Sequence, residues 1–133
     1  MKKVFTVLVT SCAALLIILN GQIFADDMDN GNYLLKICNS AMKTMQEPKE
    51  LDVEWSELIN SAECRSYING YANAIEFENK NNNLKVKYIC FPDKAGLQLW
   101  RDVYKYLQDH PQELRHPKSL LVYKAFKEYY PCK

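Results

Sequence analysis

This 133-residue chain has only four glycines, and none falls in a phosphate-cradling run. A mononucleotide-binding loop of the glycine-rich type is therefore excluded. It has only two histidines, His110 and His116, six positions apart with no third ligand but Asp109 nearby, so a catalytic or structural zinc site is disfavoured. No CxxC pair occurs among the five cysteines. Charge of one sign is not in excess either, with 17 basic residues against 16 acidic ones. Bulk charge therefore gives no reason to expect a nucleic-acid or anionic-membrane ligand. No sustained alternation of apolar and polar residues runs long enough to build a sheet. Leu84 to Phe91 alternates briefly, but a lone strand has nothing to pair with and reads as a connector.

What is present begins with a targeting pattern. Lys2 and Lys3 precede an apolar run from Val4 to Leu19, which Asn20, Gly21 and Gln22 break before Ile23-Phe24-Ala25 and the acidic pair Asp26-Asp27. The run is short for a membrane span, and it fits a signal peptide over 1–25 cleaved after Ala25. Val9-Thr10-Ser11-Cys12 resembles a lipoprotein box, yet the strongest apolar stretch follows Cys12 rather than preceding it, which favours ordinary cleavage. The remainder, 26–133, is long enough for one domain with a single core. Its formal charge is near zero.

Four cysteines remain after cleavage: Cys38, Cys64, Cys90 and Cys132. An even number in an exported chain predicts two disulfides. Four segments show the three- and four-residue periodicity of helices. The first spans about 30–45, with Leu34, Cys38, Ala41, Met42 and Met45 on one stripe. The second lies within 55–79, with Cys64, Tyr67, Ile68, Tyr71, Ala72 and Ile75 repeating. The third covers 97–109, with Leu97, Trp100, Val103, Tyr104 and Leu107 inward, and stops at His110-Pro111. The fourth opens at Pro117 and closes at Pro131, with Leu121, Ala125 and Tyr129 on a stripe and Leu120, Phe126 and Tyr130 beside it. The expected fold is all-α, a small four- to five-helix domain of two antiparallel hairpins stapled by two disulfides.

If the first pair of helices turns near Leu51 and the second near Pro111, Cys38 lies level with Cys64, and Cys90 with Cys132. Both mirror pairings permit the close approach of alpha carbons that a bridge requires. Two other pairings remain open. Loop entropy would give each link on the order of 3–4 kcal/mol.

Catalytic groups are sparse. Oxidised cysteines cannot serve as nucleophiles. Glu76 and Glu78 are two apart on a helix and do not face one direction. An enzyme is disfavoured. Most of the tyrosines and Trp100 fall at core spacing. A groove among them would instead suit a chaperone or small-ligand carrier. The stretch Gln108 to Lys118 stands apart, because it is polar and held by Pro111 and Pro117. Such a stiff turn loses little entropy on binding and can act as a recognition element.

The ordered tracts NYLLKIC (32–38), CRSYINGYANA (64–74), CFP (90–92), YKYLQDHPQELRH (104–116) and YYPC (129–132) resemble the Tai/Rap immunity proteins, the type VI amidase immunity and resistance-associated family of Gram-negative bacteria. The likeness covers nearly the whole of the chain after the signal segment, from Asn30 to Cys132. It implies a periplasmic, mostly helical protein, often a homodimer, that blocks a peptidoglycan amidase effector, a papain-like cysteine peptidase, by placing a loop in its active-site cleft. Such inhibition needs no cofactor or metal. Carried onto this chain, the histidine-proline turn is the inserted loop, with Asp109, His110, Gln112, Glu113, Arg115 and His116 as contacts. Tyr106 and Arg115 are the expected anchors, since aromatics and arginine dominate binding energy. Where relatives carry a capping threonine before the third helix, this chain has Lys94-Ala95-Gly96.

Overall fold

The computed structural model describes residues 28–46, 53–81, 87–93 and 95–133. The signal-peptide segment and Cys12 lie outside them, as do 84–86 of the expected connector. Four α-helices account for most of the rest: α1 (Gly31–Gln46), α2 (Trp55–Asn81), α3 (Gly96–Asp109) and α4 (Lys118–Tyr129), with a 3-10 turn at Pro111–Glu113. No strand occurs among the described residues. Extended chain pairs only as the isolated bridges Asn30 with Pro117 and Ile89 with Pro131.

Each helix starts and stops for local reasons. The Asn30 side-chain oxygen accepts the Tyr33 N–H at 3.1 Å and so satisfies one of the orphan donors at the start of α1. Ala95 precedes α3 without any side-chain cap, as its lack of a threonine predicts. Pro117 immediately before Lys118 supplies a fixed φ where no N–H is needed.

α1 packs chiefly on α2, and α3 on α4. Leu34, Ile37, Cys38 and Ala41 from α1 meet Cys64, Ile68 and Ala72 from α2, while Val103, Leu107, Leu121, Val122, Ala125 and Phe126 close the other half of one continuous core. Phe91, carried by the 87–93 segment, meets Phe126 edge to face at 4.9 Å between ring centres. The hairpin geometry places the bridges as the mirror argument expected, Cys38 with Cys64 and Cys90 with Cys132. Both disulfides fit an oxidising compartment.

One inward assignment is corrected, and one residue placed beside a core stripe is exposed. Leu97 is 54 % exposed, and Leu99 and Tyr106 are buried instead. The inner face of α3 is centred on Val103, and Leu97 lies a third of a turn away from it. Leu120 is likewise exposed, because the buried residues of α4 are Leu121, Val122, Ala125 and Phe126, on the opposite side.

Candidate functional site

The turn between α3 and α4 is fixed by backbone bonds at almost every step. The His110 N–H donates to Tyr106 O at 3.0 Å, ending α3. Glu113 N–H then donates to His110 O at 3.0 Å, and His116 N–H to Glu113 O at 2.9 Å. The start of α1 clamps the far side. Gly31 N–H donates to His116 O at 3.1 Å, and Asn32 donates to Leu114 O from both its backbone (3.1 Å) and its side-chain nitrogen (3.2 Å). Lys118 N–H closes the clamp on Asp29 O at 2.8 Å. Leu114 points into the core.

The side chains divide into two groups. One braces the turn from within. Tyr106 is 4 % exposed, and its hydroxyl donates to Glu113 at 3.1 Å. Burial, aided by that carboxylate, pushes the phenol up to about 12. Lys124 donates to the same carboxylate at 2.8 Å. That bond, joined by the Tyr106 hydroxyl, holds Glu113 below the usual carboxylate range. The His110 ring stacks on Tyr106 with centroids 4.1 Å apart, and its Nδ1 lies 2.9 Å from Tyr106 O. Asp109 is held by Lys105 at 2.6 Å. The other group is presented to solvent: Gln112, Arg115 and His116 are exposed between the exposed prolines Pro111 and Pro117.

The expected contact set is therefore brought together in space but not on one surface. Tyr106 does not qualify as an anchor for another protein in this conformation, because its ring is inside and its hydroxyl is engaged. Its place at core spacing, one turn before His110, was the signal for burial. The clamp residues Gly31, Asn32 and Leu114 were missed. Only Asn30, a capping type at a helix start, carried a readable hint, since pairing across more than eighty positions leaves no local trace.

Among the described residues no group of three or more His, Cys, Asp or Glu side chains could hold a metal ion. A separate, mostly apolar cavity of about 300 Å³ lies between α2, the 87–89 segment and α4, lined by Tyr71, Ile75, Tyr88, Ile89 and Tyr123 among others.

A disulfide-stapled helical module presenting one clamped polar turn has the makings of a protein-binding domain. The profile of the Rap1a immunity proteins matches residues 30–132, and the chain belongs to that family. No curated protein and no solved structure matches it.

Proposed function

We propose that this protein is a periplasmic immunity protein that inhibits a type VI-secreted peptidoglycan amidase, a papain-like cysteine peptidase, by occluding its active-site cleft with the turn around Pro111. In this reading the segment 1–25 directs export and is removed, and the working chain self-associates. The observation that carries the proposal is the split at the turn: Gln112, Arg115 and His116 are free at the surface, while the backbone beneath them is clamped to α1. A preorganised turn leaves mainly side-chain entropy to be lost on docking. The two acids of the turn, Asp109 and Glu113, are already matched by Lys105 and Lys124. Arg115 is then the natural anchor, with His116 and Gln112 beside it.

The test is protection of cells that express a type VI-secreted peptidoglycan amidase in their periplasm. The parent chain should rescue growth. Arg115→Glu with His116→Glu should weaken binding at least tenfold and lower rescue, with an unchanged melting curve, because neither side chain bonds to another among the described residues. Full rescue by that double variant would overturn the role of the turn.

A second reading rests on the apolar cavity beside Tyr71 and Tyr123, which suits a chaperone or carrier of small apolar molecules. Native mass spectrometry of protein taken from the periplasm separates the two. A co-purifying small molecule supports the carrier, and a stoichiometric complex with the amidase supports immunity.

A further inference from the structure

The cavity between α2, the 87–89 segment and α4 holds about 300 Å³. Ligand pockets run from about 300 to 1,000 Å³, so its guest is a small molecule. Most of the wall is apolar, from Tyr71, Ala74, Ile75, Tyr88, Ile89 and Tyr123. A sugar or a peptide backbone would leave its polar groups unpaired there, which is costly. A hydrocarbon body meets no such cost.

The wall on the 87–89 side is fixed in place. Asn79 donates its side-chain N–H to Ile89 O at 2.8 Å. The next residue, Cys90, donates its backbone N–H to Tyr130 O at 2.9 Å and is bridged to Cys132. Ile89 itself is 3 % exposed and belongs to the core. The cavity is thus enclosed by tethered elements, and a guest would not have to order its walls.

The polar groups of the lining are biased in one direction. Lys87 is its cation, and it forms no ion pair with a described residue. The hydroxyls of Tyr71 and Tyr123 donate to no described residue either. Burial, with Tyr123 close by, pushes the Tyr71 phenol up, so it keeps its proton at neutral pH and remains a donor. Glu78 is the acid of the lining, and it already has a partner within the chain. Uncommitted donors and an uncommitted cation beside an apolar space complement an anionic head on an apolar body.

We propose that this cavity binds a monocarboxylate with a medium-length acyl chain, the chain lying among Ile75, Ile89 and the tyrosine rings, and the carboxylate taken by Lys87 and a tyrosine hydroxyl. This deepens the carrier reading, on whose cavity it rests, and it is independent of the turn.

Isothermal titration calorimetry of the exported chain with butanoate, hexanoate and octanoate tests it. Affinity should rise about three- to fourfold per added methylene until the cavity is full. Octanoate should bind more tightly than 1-octanol, and at least tenfold more tightly than octylamine. Lys87→Glu should weaken octanoate about fivefold or more, since an attraction becomes a repulsion. Ala74→Trp, at an exposed position of the wall, should block octanoate while keeping the parent melting curve. Vesicles of phosphatidylglycerol should not retain the chain, because a two-chain lipid exceeds the cavity. No binding of any of these molecules would overturn both the proposal and the carrier reading. Octanol bound as tightly as octanoate, or octanoate indifferent to Lys87→Glu, would overturn the proposal and leave the carrier reading standing. Full octanoate binding by Ala74→Trp would place the guest elsewhere and overturn it too, as would retention on vesicles.

Discussion

The clamp between α1 and the turn makes a prediction whose sign is set by geometry. A Cβ added at Gly31 would lie 2.2 Å from Leu121 Cδ1 and 3.0 Å from both Cα and O of Leu114. The leucine methyl could swing away only if there were room, but Leu121 is fully buried among Val122, Phe126 and Leu107. The Leu114 backbone has less freedom still, because its carbonyl holds both donors of Asn32. The start of α1 must therefore lift off the turn. Overpacking of this kind costs about 1–3 kcal/mol. The lower chain entropy of alanine in the unfolded state returns about 0.4–1 kcal/mol. Gly31→Ala should thus lose a net 1–2 kcal/mol or so, lowering the melting temperature by roughly 5–12 °C. Gly70→Ala supplies the contrast: with nothing within 4 Å of the new methyl, it should stabilise the chain by about 0.5–1 kcal/mol when measured at low concentration. Circular-dichroism melts of both variants check the pair, and hydrogen exchange should show the Gly31 and Asn32 amides released first in Gly31→Ala. A melting temperature for Gly31→Ala equal to or above the parent's would refute the reasoning, because the same substitution would then have ignored a sub-van der Waals contact.

Two further outcomes follow from the same physical description. Stepwise reduction with alkylation and mass spectrometry should open Cys90–Cys132 before Cys38–Cys64, since Cys90 is exposed whereas Cys38 and Cys64 are completely buried; by loop entropy, replacing either pair should cost about 3.5–4 kcal/mol. Tyr33, Tyr67 and Tyr106 are all pushed up to about 12, mainly by burial, and Tyr130 is raised further by burial and Asp102. A raised folded-state value stabilises the protonated fold, so this contribution should be complete below pH ~10 and fall away as pH rises towards 12; a chemical-denaturation series with no decline over that interval would contradict it.

Helix number, order and approximate limits were legible because the apolar residues of α1, α2 and α4 repeat at threes and fours between prolines and polar loops. The disulfide pairing was also within reach, because two hairpins of matched arm length bring those cysteines level. Leu97 shows where periodicity fails: Leu97, Trp100 and Tyr104 form a plausible stripe on their own, and only packing shows that the buried arc is centred on Val103 instead. The turn was visible as a polar tract between two prolines. Its internal sorting was not, because Tyr106 turns inward through a partner, Glu113, that the sequence shows only as another surface acid.

The sorting of charge at the turn bears directly on what it can bind. Asp109 and Glu113 would give the segment a negative face if they were free, but each spends its charge on a lysine of its own domain, and Glu113 takes a tyrosine hydroxyl as well. Lys118, which would otherwise strengthen the positive side, donates to Met28 O at 3.0 Å and lies over the rings of Tyr33 and Tyr67. What remains uncommitted at the turn, among the described residues, is Arg115, with the exposed His116 beside it. A formal net charge of only +1 over the whole chain is thus compatible with a locally positive tip. The same bonds that remove the acids from the surface also stiffen the turn, so rigidity and sign of charge arise from one set of contacts rather than two. A variant that frees Glu113 by losing Lys124 would alter both together, which is why the outward-facing Arg115 and His116 are the better handles for separating recognition from fold.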